Sequence, residues 1–172
     1  MVAQRGFFDL DERYVALSKA GDPLERLSAV IDFEIFREEL DASLDRSDGS
    51  KGGRPPMDPV LMFKVLVIQA LYGLSDAQAE FQIMDRRTFG RFLGIDDGDG
   101  VPDETTIWRF REALVQAGAI ERLFDRFDAY LKGAGYLAMG GQIVDASIVA
   151  APRQRMSEFD SQEFDPVDRI LG

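Results

Sequence analysis

The chain contains no cysteine. Disulfides and thiolate metal sites are therefore excluded, and a reducing compartment is compatible with it. Histidine is absent as well. That removes histidine–metal sites, serine–histidine triads and the usual imidazole base together. The N-terminus lacks a basic-then-apolar pattern, so no signal peptide is expected. No apolar run is long enough to span a bilayer, and no membrane partner is expected.

Positive charge is in short supply. Lysine and arginine number 20 against 31 acidic residues, a net charge of −11. Nucleic-acid binders usually carry a basic footprint, so this balance opposes tight, non-specific DNA binding. The excess is uneven. Residues 1–50 hold 12 acids and 6 bases, whereas residues 51–100 hold 7 and 6. A local basic face built from Arg86, Arg87, Arg91, Arg109 and Arg111 is compatible with that middle.

What is present is globular. At 172 residues and 45% hydrophobic content there is room for one domain with a core, or one domain and part of another. The organising stretch runs from Gly53 to Arg111. Val60 to Tyr72 is apolar apart from Lys64 and Gln69. Asp58 suits the N-cap and Pro59 the first helical position, where no N–H partner is needed. Gly73 suits a left-handed stop. A helix of about 14 residues that is apolar nearly all round belongs inside a bundle.

Short helices follow. Ser75 and Gln78 have the spacing of a capping box, opening a helix to about Met84. Arg86 to Leu93 reads as a second helix ending at Gly94. After a Gly/Asp loop, Asp103 caps a third, with Ile107, Phe110, Leu114 and Ala117 inward. Helices joined by tight turns, the last opening on Thr105, Thr106, Arg109 and Arg111, suit either a helix-turn-helix-like DNA-binding unit or three ordinary bundle helices. The loop acids Asp96, Asp97 and Asp99 lack the alternation, glycine and terminal glutamate of a calcium loop.

Elsewhere, residues 8–20 read as a helix with Leu10, Tyr14 and Leu17 on one side. Asp22-Pro23 opens another, with Leu24, Leu27, Val30 and Ile31 inward. Asp32 caps a further helix bearing Phe36, Leu40 and Leu44. Glu34, Glu38, Glu39 and Asp41 give that helix an acidic outer face, either solvated or docked on a basic surface. Residues 45–56 read as a polar linker, where Lys51 and Arg54 are exposed or touch phosphate. Ile120, Leu123, Phe124, Phe127, Tyr130 and Leu131 form a helical stripe. From Gln142 the period changes to two, with Val144, Ala146, Ile148 and Ala150 on one strand face and Ile143, Asp145, Ser147 and Val149 on the other. A lone strand is not stable, so it requires either a hairpin arm from Gly135 to Met139 or elements beyond it. The apolar positions of 143–150 also predict poor solubility.

Three blocks carry a resemblance. They are GRPPMDPVLMFKVLVIQALYGLSD (53–76), DRRTFGRFLG (85–94) and VPDETTIWRFR (101–111). In order and without gaps, they closely resemble bacterial insertion-sequence transposases of the IS five group, those with an InsH-type N-terminal domain. The likeness extends back to Phe7 and forward through IVDASIVAAPRQR (143–155). It implies a mainly α fold, a helical bundle with a helix-turn-helix-like segment, followed by the opening strand of a ribonuclease-H-like domain. The expected organisation is a helical N-terminal domain over 1–133, a strand region over 134–155 and a divergent, disordered tail over 156–172.

The same resemblance implies that Asp145 is the first acid of a DDE triad. In the complete family catalytic domain, three carboxylates hold two Mg²⁺ ions for cleavage and strand transfer. After Arg155 the sequence departs from the family pattern, and Glu158, Asp160, Glu163, Asp165 and Asp168 receive no catalytic role. The expectation is an N-terminal portion of a transposase without strand-transfer activity of its own and with no Mg²⁺ bound. Its candidate DNA contacts are Arg86, Arg87, Arg91, Thr105, Thr106, Arg109 and Arg111. Its expected partners are the element's terminal inverted repeats and a second copy or a full-length transposase, in the cytoplasm or on the nucleoid. The alternative is a non-catalytic end-binding or inhibitory partner of full-length transposase. A product completed by ribosomal frameshifting is a third reading.

Overall fold

A computed structural model describes residues 21–44, 56–96, 98–139 and 142–145, with residues 15, 16, 18 and 19 of a preceding helical segment. Helix α1 spans Pro23–Val30, capped by Asp22, whose carboxylate accepts from the Leu24 N–H at 3.0 Å. Asp32 caps as expected, but what it opens is a 3₁₀ turn, Phe33–Phe36, which leads into helix α2, Arg37–Ser43. The tighter turn sends both Phe33 and Phe36 into the core. The rest of the first predicted helix, the 45–55 linker with Lys51 and Arg54, Asp97, and the strand beyond Asp145 lie outside the described residues.

Helix α3, Pro59–Tyr72, is the centre of the bundle. Asp58 accepts from the Val60 and Leu61 N–H groups, and Gly73 stops the helix at φ 64°. Its ten buried residues include Gln69, so nearly the whole circumference is covered. Phe63 sits in an aromatic cluster, with ring centroids 4.9 Å from Phe36, 5.6 Å from Phe124 and 6.3 Å from Phe33. Lys64 places its side-chain nitrogen 3.2 Å from the Phe92 carbonyl and over the Phe33 and Phe92 rings. Burial lowers its pKa, and the Glu34, Asp58 and Asp32 carboxylates oppose that shift.

Helix α4, Asp76–Asp85, begins with the full capping box between Ser75 and Gln78 and turns 102° from α3. No single helix among the described residues is long and apolar enough to cross a membrane. Helix α5 spans Arg87–Leu93 and ends at Gly94, φ 74°. Helix α6, Glu104–Gln116, is capped by Asp103, and α7 runs Ile120–Gly133. Leu123, Phe127 and Leu131 of α7 are buried, while Tyr130 is 44% exposed at the edge of the stripe. Ala117, expected inward, is exposed because α6 ends just before it.

Strands β1, Tyr136–Met139, and β2, Gln142–Asp145, form an antiparallel hairpin, in the register Tyr136 opposite Asp145 and Met139 opposite Gln142. This is the hairpin-arm solution to the lone-strand problem. It packs on α7 through β1 and on α1 through β2. The described fold is mainly α.

Candidate nucleic-acid interface

Two groups of the expected DNA-binding residues emerge. The first lies at the corner between α4 and α5. The two helices are joined through Arg86 alone, whereas α5 and α6 are separated by residues 94–103. A helix-turn-helix unit has a turn of about three to four residues, so this segment is better described as three packed helices. Arg86 is exposed, and its guanidinium lies over the rings of Phe89 at 5.1 Å and Tyr72 at 5.9 Å. The stacked rings limit the side chain's freedom while leaving its N–H donors in solvent.

Arg86, Arg87 and Arg91 line one cleft of about 300 Å³ together with Asp85, Asp96 and Asp99. The cleft is not uniformly basic. Arg91 is held on its far side by Asp22 at 2.8 Å and Glu25 at 3.3 Å, and also donates to the Ser18 hydroxyl at 3.4 Å. Its charge ties α5 to α1. Arg86 makes no ion pair among the described residues, and Arg87 is half-buried in the same wall.

The second group lies on α6. Thr106 donates its backbone N–H to the Asp103 carboxylate, so it belongs to the cap. Thr105 and Arg109 are exposed. Arg111 points inward and grips both oxygens of Asp76. Asp76 also accepts from the buried Gln69 amide at 2.8 Å, so one carboxylate joins α3, α4 and α6. Burial alone would raise the Asp76 pKa, but the hydrogen bonds from Arg111 and Gln69 outweigh it and hold the carboxyl below its ordinary value.

Other residues at this surface were not anticipated as functional. Phe81, Met84, Trp108 and Val115 are apolar, 49–64% exposed, and sit on α4 and α6. Their signal was present in the spacing. Ala79 and Ile83 mark the buried side of α4 at i and i+4, and Phe81 and Met84 fall out of phase with them.

Asp145 ends β2 opposite Tyr136. Among the described residues no three His, Cys, Asp or Glu side chains gather in a group able to hold a metal ion. The Mg²⁺ pair implied by the resemblance therefore has no ligand set within them, and no metal-dependent step follows from their geometry.

The family model described as Transposase domain (DUF772) matches residues 12–113. The chain belongs to that transposase-domain family. The matched span holds both groups of candidate DNA contacts and stops short of Asp145. No solved structure matches the chain.

Proposed function

We propose that this transposase-family chain is the helical portion of an IS five group, DDE-type transposase and binds the terminal inverted repeats of its element. The observation that carries this reading is the exposed, ring-stacked Arg86 beside Arg87, inside the span matched by the family model. A guanidinium fixed on an aromatic surface meets a phosphate with little further loss of freedom. Thr105 and Arg109 are exposed on α6, apart from this corner, and supply further contacts. Arg91 and Arg111 act from behind, by holding α5 on α1 and α6 on α4. The net charge of −11 keeps the interaction dependent on these few contacts and sensitive to salt.

Asp145 retains the role of first triad acid on the strength of the resemblance alone. Cytoplasmic or nucleoid location follows from DNA as the partner. A second reading, a non-catalytic partner that inhibits full-length transposase, draws support from the exposed apolar residues of α4 and α6.

The test is fluorescence anisotropy with a labelled duplex carrying the element's terminal repeat and a scrambled duplex of equal length. Binding at least about tenfold tighter to the repeat is expected, with each mismatch in the site costing affinity. Equal affinity for the two duplexes would overturn sequence-specific end binding. No binding at low salt, combined with capture of full-length transposase, would favour the inhibitory reading.

A further inference from the structure

The cleft at the Arg86–Arg87 corner carries more negative charge than a surface built for phosphate alone. Asp85, Asp96 and Asp99 line it together with the arginines. Some of these charges are engaged within the fold. Arg91 turns to Asp22 and Glu25 on α1, and Asp99 accepts from the Asp96 N–H at 2.9 Å, which shapes the loop. The cleft acids do not form a group able to hold a metal ion. Asp85 is left over. It is the last residue of α4, it is exposed, and its carboxylate makes no hydrogen bond or ion pair among the described residues. Its neighbour Arg86 is extended, at φ −98° and ψ 111°, so the helical phase breaks between the two. Arg86 is drawn onto Tyr72 and Phe89, while Asp85 stays at the open side of the cleft. A free carboxylate thus stands next to the guanidinium offered to phosphate. A polyanion approaching it loses affinity unless it presents a hydrogen-bond donor there.

We infer that Asp85 reads a base edge, accepting a hydrogen bond from cytosine N4 in the major groove while Arg86 holds a nearby phosphate. The inference rests on the end-binding reading above and adds to it the residue that selects sequence and the base it selects. The choice of base follows from the groove's chemistry. Only cytosine N4 and adenine N6 present amino donors there. Adenine N6 lies between two acceptors, its own N7 and thymine O4, and both repel a carboxylate. Cytosine N4 has an acceptor on one side only, the guanine O6 of its pair. A C·G pair is therefore the one edge that rewards Asp85, and every other edge, like phosphate itself, is penalised by it. Specificity arises as much from that penalty as from the bond. Asp85 fixes which pair is tolerated, and Arg86 supplies the attraction.

The test uses the full chain and terminal-repeat duplexes in which each C·G pair is replaced in turn by T·A, read by anisotropy beside the scrambled duplex. For the wild type, one of these replacements should weaken binding about 5- to 100-fold. Asp85→Ala should bind the intact repeat more weakly, bind the scrambled duplex no more weakly, and be indifferent to that replacement. Its far-ultraviolet circular dichroism should be unchanged, since the site is exposed. Asp85→Asn should move the preference at the same position toward A·T, because a carboxamide pairs with adenine N6 and N7. Tighter binding of Asp85→Ala to repeat and scrambled duplexes by the same factor would overturn the inference, leaving Asp85 as a repulsive charge only. So would replacements that cost the wild type and Asp85→Ala equally at every position. Equal wild-type affinity for repeat and scrambled duplexes is a different failure, which overturns the end-binding reading and this inference with it.

Discussion

Helix α4 borders two surfaces of opposite character. At its C-terminal end, Arg86 and Arg87 form a polar corner, with Arg86 stacked on Tyr72 and Phe89 and its donors in water. Along its outer flank Phe81 and Met84 are exposed, as are Trp108 and Val115 of α6. The corner offers charge, and the DNA binding proposed for it should weaken as counterions compete. The exposed side chains of the flank offer apolar area and no charge of their own. The two surfaces differ in chemistry, and each can be perturbed without the other.

The largest expected effect removes both surfaces together. Phe63 is fully buried, touches three other rings, and supports the helix that α4 packs on. Phe63→Ala should cost about 3–5 kcal/mol, read as a shift in the urea midpoint, with DNA binding failing as well.

Salt should act on the corner next. With about two to three phosphates contacted, raising salt from about 50 to 200 mM should weaken DNA binding by roughly 10- to 50-fold. An affinity unchanged across that range would contradict the proposed phosphate contacts.

A smaller effect is expected at the seam under both surfaces. Arg111→Ala releases Asp76 and should destabilise by about 1 kcal/mol, a figure reduced because the pair is partly solvated. The pH dependence follows from the sign of the shift. Asp76 titrates below its ordinary value of 3.8 in the folded chain, so its stabilisation is present above that value. It is lost as pH falls through the lower, folded value. Thermal denaturation should therefore show an acid limb below about pH 4 that is shallower in Asp76→Asn. An unchanged limb would remove Asp76 from the account. The smallest effect is on the rim: Arg109→Ala should change stability by less than about 0.5 kcal/mol, because its side chain is exposed.

Much of this fold was legible locally. Asp58, Pro59 and Gly73 delimit α3 in the sequence as they do in space, because caps and stops act through neighbouring backbone groups. The Ser75–Gln78 box and the Asp103 cap were readable for the same reason. The 3₁₀ turn at Phe33–Phe36 was not, since an i+4 reading of Phe36, Leu40 and Leu44 overlooks Phe33.

The interface was only half legible. Sequence marked Arg86, Arg91, Arg109 and Arg111 alike as members of one basic face. Their separate fates depend on partners far away in the chain, Asp22 for Arg91 and Asp76 for Arg111. No local pattern encodes such pairings. The exposed apolar residues of α4 are the reverse case, because their phase was visible but its meaning required knowing which side of α4 is covered.

The measurement closest to the central claim is the salt dependence of terminal-repeat binding by the wild type and by Arg86→Ala, read by anisotropy. The account predicts that Arg86→Ala weakens binding several-fold and lowers the slope of log affinity against log salt by about one, with stability unchanged. An unchanged slope and affinity in a folded Arg86→Ala chain would contradict it.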